Sequence, residues 1–324
     1  MAKARAILKR RKAVSNIKKI TKTMQMIATA KFQKSLKRAT GTKPYTMKVR
    51  ELVGELAASV GNVEHPLLRK VTDENRTDKI ALIVITANRG LAGAYNGNVL
   101  KAAKTFRDAQ VAAGKDVELH VNGKKGVSFF RFQGVEPTRI LDVSDEPRST
   151  EVQGIAEDAM AQFIDGKVDG VFVAYMNFIS TGNQQAEVMP LLPLAGAEEV
   201  VEELAQQAAE RDAQLEAGVM DTARAGTDVT AAKQVTTETE YDFSPDPKSL
   251  LDTLLPLTVK SALFQTFLDA TTSEHVARMV AMKAATDNAD KMGKDLQLKY
   301  NRARQSQITT ELSEIMGGVE AMKS

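Results

Sequence analysis

The side chains best suited to chemistry are few in this 324-residue chain and are dispersed along it. His65, His120 and His275 are its only histidines, and they show no metal-ligand spacing. Cysteine is absent, which excludes a disulfide framework, a thiolate metal site and a cysteine nucleophile, and suits a reducing compartment. Three scattered histidines do not support a Ser/His/Asp arrangement either. A phosphate cradle must be weighed at Asn88-Arg89-Gly90-Leu91-Ala92-Gly93-Ala94-Tyr95-Asn96-Gly97, where an apolar run gives way to a helical pattern. Its glycines fall at 90, 93 and 97, matching neither G-x-G-x-x-G nor the Walker spacing, and no Lys-Ser or Lys-Thr opens the helix. The stretch reads as a tight, buried strand-to-helix connection. Acidic residues between 198 and 216 follow helix-surface spacing, the mark of a solvated face. No catalytic constellation emerges, and no cofactor is implied.

The elements that would carry a function are long helices. Strong helix formers dominate from Pro247 to Ser324, with no proline after Pro256 and no glycine from there until Gly293. Ile308, Leu312, Ile315, Val319 and Met322 alternate steps of four and three, the spacing of a coiled-coil seam. One helix from Pro256 to the end would measure roughly 100 Å. That exceeds any single compact core, so it must lie along a partner helix or pass through something larger.

Residues 3–40 also read as a helix, with Ile17, Ile20, Met24 and Ile27 stepping by three, four and three. This thin apolar stripe predicts packing against the C-terminal helix. Gly41 and Pro44 interrupt the pattern before Leu52, Leu56 and Val60 resume it, so one helix bent near Thr42–Pro44, or two in succession, is expected. Residues 1–50 hold sixteen Lys or Arg and no Asp or Glu, within a chain of net charge +3. The split points to an interaction surface. A mitochondrial presequence would be shorter and Ser-rich. A nucleic-acid-binding helix, part of a basic protein with a Rossmann-like domain, is the alternative reading, but only Phe32 and Tyr45 offer stacking there. No apolar run approaches the roughly 20 residues that span a bilayer.

Between these helices the pattern changes. Lys79–Thr86 and Gly170–Met176 are short β-branched runs typical of buried parallel strands, with further strands expected at Asp116–Val121 and Gln185–Leu192. Helical patterns at Gly97–Ala113, Gly123–Phe132 and Thr150–Ile164 alternate with them, implying a mostly parallel α/β sheet. Glu198–Leu215 reads as a solvated helix and Gly218–Glu240 as a Thr-, Ala- and Gly-rich mobile loop. The layout is a shaft of two paired terminal helices (1–60 and 247–324) carrying a head (76–195), with an insertion at 196–240.

These ends are similar to a known family. The stretch Ser273-Glu274-His275-Val276-Ala277-Arg278-Met279-Val280-Ala281-Met282-Lys283-Ala284-Ala285-Thr286-Asp287-Asn288-Ala289, with Tyr300–Thr309, resembles the signature of gamma subunits of F-type ATP synthases. So does Ser15-Asn16-Ile17-Lys18-Lys19-Ile20-Thr21-Lys22-Thr23-Met24-Gln25-Met26-Ile27-Ala28. Thr86–Gly93 resembles the family's middle motif, in which Asp usually stands at the place of Asn88 and Cys often at that of Ala92. The resemblance spans nearly the whole chain except about 196–240.

The resemblance implies a non-catalytic rotor of α/β class: a long antiparallel coiled coil of the terminal helices with an inserted Rossmann-like domain. The coil would enter a ring of three alpha and three beta subunits, and the head would touch the epsilon subunit and stand on the c-ring, the only route to the membrane. Met24 and Arg278 match positions facing an acidic lever of the beta subunit; Arg304, Gln305 and Thr309 match positions that bond a beta-subunit loop. If Met24 and Arg278 stand level, facing residues sum to about 302 and the C-terminal helix overshoots by about 23 residues, roughly 35 Å. That tip would seat Ile308, Leu312 and Ile315 in an apolar sleeve. The insertion lacks the cysteine pair of photosynthetic relatives, which excludes dithiol control and leaves a steric or partner-binding role, such as a brake on ATP hydrolysis, as the expectation for Glu198–Glu240. The motif begins almost at Met1, so a bacterial protein on the cytoplasmic face of the plasma membrane is expected.

Overall fold

The computed structural model describes residues 2–60, 65–69, 71–72, 75–194 and 247–323. The expected insertion at 196–240 lies outside them. Helix α1 (Ala2–Val60) leads through a short 3-10 turn (Pro66–Leu68) into β1 (Lys79–Ile85), α2 (Tyr95–Ala112), β2 (Asp116–Asn122) and α3 (Lys124–Phe132). Then come β3 (Arg139–Leu141), α4 (Ser149–Ile164), β4 (Gly170–Phe178), β5 (Gln184–Leu192) and the terminal helix α5 (Pro247–Lys323).

The strands form one sheet in the order β3-β2-β1-β4-β5, parallel except for the β5 edge, which runs antiparallel to β4. Burial on both faces explains the unbroken apolar run of β1: Ala81, Ile83 and Ile85 pack on one side, Leu82 and Val84 on the other. Helices α2 and α3 cover the second side through Val99, Ala103 and Phe130. The first side is covered by α4 and by the opening turns of α5, whose Leu251, Leu255, Val259, Leu263 and Phe267 are fully buried. The shaft helix is therefore rooted in the core of the head. Three-residue β3 was missed in the sequence because so short a strand carries no period.

Helix α1 runs unbroken through Gly41 and Pro44, so the two-helix alternative is not the one formed. Proline removes one backbone bond, and tertiary contacts brace the same turns. Thr42 donates to Gln265 Oε1 at 2.7 Å, and Gln265 Nε2 donates to the Ala39 carbonyl at 3.4 Å.

Above the head, α1 and α5 pair antiparallel, but not by the residues the hydropathy pattern chose. The buried positions of α1 are Val14, Thr21, Ala28 and Phe32; those of α5 are Met282, Thr286, Ala289 and Leu296. On α5 these recur at steps of four, three and seven, a heptad seam. Small residues let the helices approach closely, and the Thr286 hydroxyl meets Thr21 Oγ1 at 2.8 Å. Ile17, Ile20 and Ile27 are 52, 59 and 54 % exposed and turn away from α5. The expectation that this stripe packs on the C-terminal helix is thus overturned.

The register also differs from that expected. Thr42–Gln265, Thr21–Thr286, Lys18–Asp290 and Arg11–Gln297 are bonded across the pair, and their numbers sum to 307 or 308. Met24 is therefore level with residues near 283, and Arg278 sits about five residues, or roughly 8 Å, nearer the head. The overshoot of α5 beyond α1 shrinks to about 17 residues, roughly 26 Å.

Candidate functional site

Residues singled out on α5 fall into two groups, roughly 39 Å apart from Arg278 to Arg304. The lower group lies where the shaft leaves the head. In an open parallel sheet of this strand order, ligands bind in the crevice beyond the carboxyl ends of β1 and β4. Here α5 fills that crevice. Ser273 donates to the Met176 carbonyl at 3.3 Å, and Arg278 donates to the Gly90 carbonyl at 3.4 Å. Gly93, at φ 55°, brings the turn against Ala277 and Ala281 of α5. The turn that resembled a phosphate cradle is thus a docking loop for the chain's own helix. Leu91 in this turn also has positive φ, 62°, and is 63 % exposed.

Arg278 is not a free cation. Its guanidinium donates to Glu274 Oε1 at 2.6 Å, with both side chains nearly buried. Burial pushes the Glu274 carboxyl above its ordinary range, and the Arg278 charge opposes that rise. Burial likewise lifts the Tyr95 phenol, and the nearby Glu274 charge adds to the effect. His275, one residue on, is buried and held neutral: desolvation, reinforced by Arg278 and Lys31, lowers its pKa to about 4. Glu274 was legible from its spacing of four residues before Arg278. Tyr95 carried no such signal.

Met24 stands apart, half-buried on α1 among the exposed Ile20, Met26 and Ile27. At the far end of α5, Arg304, Gln305, Ile308, Thr309, Leu312 and Ile315 are all exposed. Thr309 donates to the Gln305 backbone carbonyl one turn back, and Gln305 is itself exposed. The apolar stripe Ile308, Leu312, Ile315, Val319 is one to two positions out of phase with the α1 seam, which continues through Tyr300, Ala303 and Gln307. One position rotates a side chain by about 100°. The tip stripe is therefore not an extension of the internal coiled coil; it presents a second, unpartnered face.

Comparison with known proteins places this arrangement. The family model described as ATP synthase matches residues 3–322. The ATP synthase gamma chain of Rhodopirellula baltica is 41 % identical over 328 residues, covering 100 % of both chains. That of Leptospira biflexa is 37 % identical over 323 residues, covering 99 % of this chain and 100 % of the relative. Among solved structures, a chain of the Euglena gracilis mitochondrial ATP synthase (OSCP/F1/c-ring, rotational state 3) aligns with a TM-score of 0.59 at 18 % identity. It covers 99 % of this chain and 95 % of that one. A chain of the Tetrahymena thermophila mitochondrial central stalk and c-ring aligns with a TM-score of 0.51 at 18 % identity, covering 82 and 99 %.

Proposed function

The chain belongs to the gamma chains of F-type ATP synthases, non-catalytic subunits of the central stalk, and from that premise we propose that its two exposed shaft surfaces bear on a ring of three alpha and three beta subunits. The observation that carries this reading is the apolar surface left outside the internal seam. Ile17, Ile20 and Ile27 line one flank of α1, and Ile308, Leu312 and Ile315 line the tip of α5. Contiguous exposed apolar surface of this kind marks a protein contact. The tip seats in an apolar sleeve, and Arg304, Gln305 and Thr309 bond a beta-subunit loop beside it. Met24 faces the beta-subunit lever. The basic face of α1, with no carboxylate of its own before residue 51, attracts acidic loops while its long side chains stay mobile.

In this reading the head stands on the c-ring and touches the epsilon subunit, on the cytoplasmic face of a bacterial plasma membrane. Among the described residues no helix is long and apolar enough to cross a membrane. Ion flow turns the c-ring, the head carries the turn upward, and the shaft's asymmetry drives each beta subunit through its states in sequence. Chemistry stays on the beta subunits.

Reconstitution tests this. Purified chain mixed with alpha and beta subunits of the same organism should join as one copy per three alpha–beta pairs and raise ATP hydrolysis well above that of the unmixed subunits. Ile20→Asp with Ile27→Asp should leave the isolated fold intact, since both side chains are exposed, yet weaken assembly about tenfold by desolvating unpaired carboxylates. Unchanged assembly of that double variant would remove the α1 flank from the interface.

A further inference from the structure

Two loops at the upper rim of the head each hold one shaft helix. The turn after β1 holds α5, through Arg278 on the Gly90 carbonyl and through the close approach of Gly93 to Ala277 and Ala281. The loop between β3 and α4 holds α1: Lys34 pairs with Glu146 at 2.7 Å, and Arg38 donates to the Pro147 carbonyl at 2.6 Å. Asp145 of the second loop meets side chains of the first directly. Asn88 Nδ2 donates to Asp145 Oδ1 at 3.0 Å, while Asn88 Oδ1 accepts from the Lys124 backbone N–H at 3.2 Å. Arg89 approaches the other Asp145 oxygen at 3.9 Å.

The residue types at this bridge are constrained. Position 88 must accept from a backbone N–H at the start of α3 and donate to a carboxylate. Asparagine has both groups; aspartate would meet Asp145 with like charge and no donor. The polar bridge links the two grips to each other.

We propose that Asn88 and Asp145 close these loops into a collar that couples the head torsionally to both shaft helices. Both are positioning residues: they act through Arg278 on α5 and through Lys34 and Arg38 on α1. With the bridge in place, torque entering the head is shared by α1 and α5. Without it, each loop yields separately and part of the torque is stored as twist between head and shaft. The proposal rests on the rotor role above and goes beyond it by assigning the joint.

The test uses the chain assembled with alpha and beta subunits, the ring fixed to a surface and a bead attached to the head. In the stalled complex, the angular variance of the bead reports torsional compliance. Asn88→Asp should raise that variance about twofold, because coupling carried by two linked grips falls to two independent ones, with ATP hydrolysis unchanged. Adding Asp145→Asn exchanges donor and acceptor and should return the variance to the native value. Asn88→Ala, which removes the bridge without adding charge, should raise it in the same direction but less. A native variance in Asn88→Asp, or a rise that Asp145→Asn leaves in place, overturns the collar while the rotor reading stands. A native chain that never joins the ring overturns both.

Discussion

Replacing Arg278 with alanine is expected to destabilise the isolated chain by about 3 kcal/mol near pH 8, because it leaves Glu274 buried without its ion-pair partner. The side chains of Arg278 and Glu274 are 13 and 12 % exposed, so neither is relieved by solvent as a surface pair would be. The effect should depend on pH in a defined direction. Burial already raises the Glu274 pKa, and Arg278 restrains the rise. Without the guanidinium the folded-state value climbs further above the unfolded one. A carboxyl raised on folding gives stability that is fully present below its unfolded pKa and is lost as pH rises through its folded pKa. The cost of Arg278→Ala should therefore be smaller at pH 5 than at pH 8, because lower pH favours the uncharged, protonated Glu274. Glu274→Gln on the Arg278→Ala background should restore most of the loss at pH 8. Urea midpoints of the three variants at both pH values decide it. An equal cost at pH 5 and pH 8, or no rescue by glutamine, would mean that Arg278 acts as an ordinary surface cation.

This bears on how much of the site the sequence made legible. Resemblance marked Arg278 as a residue facing a partner, yet a motif names a position and not where its side chain is spent. The guanidinium is engaged within the chain, on Glu274 and on the turn at Gly90. The level assigned to Met24 came from the same resemblance, and the bonded pairs across the shaft shift it by about five residues. Hydropathy steps among Ile17, Ile20, Met24 and Ile27 separately suggested the seam, but the helices meet through Thr21 and Ala28, which scarcely register on such a scale. An apolar period on a shaft helix marks whichever face is covered in the assembled state. In the function proposed above, that face of α1 meets another subunit.

The head was easier to read, because its strands are buried on both faces and their apolar runs need no partner to explain them. The alternation of strands and helices gave the parallel sheet, while the antiparallel turn of β5 onto the edge left no trace in composition. The departure at Asn88 had no visible meaning in the sequence. In the structure it is the donor to Asp145, a role that aspartate could not fill. Residues that join two loops across 57 positions of chain are invisible to any local pattern.

The second large effect concerns Asp269, buried on α5 at the neck where α1 passes Gly41 and Pro44. Its carboxylate is 4 % exposed in the whole-residue sense, accepts from Gln265 Nε2 at 3.1 Å, and lies 3.9 Å from Lys43 Nζ of α1. From the sheet, Glu187 of β5 faces it; Glu187 in turn accepts from the Tyr175 hydroxyl at 2.6 Å. Burial raises the Asp269 pKa from 3.8 to about 6, with Lys43 and Gln265 opposing and Glu187 assisting. The folded value lies above the unfolded one, so the stability it confers is complete below pH 3.8 and disappears as pH rises through about 6. At neutral pH the ionised group then costs about 3 kcal/mol relative to its protonated form. Asp269→Asn keeps the shape and removes the ionisation, so the variant should be the more stable protein at pH 7.5. The difference between variant and native stability should change by about 2 kcal/mol between pH 4.5 and pH 7.5, as the carboxyl ionises only in the native chain. Lys43→Met should move that transition to higher pH by removing a cation that favours the carboxylate. A pH-independent difference between Asp269→Asn and native protein would show that the neck tolerates the charge without strain. The neck would then owe its rigidity to the apolar root of α5, from Leu251 to Phe267, and not to the polar contacts that brace α1 above it.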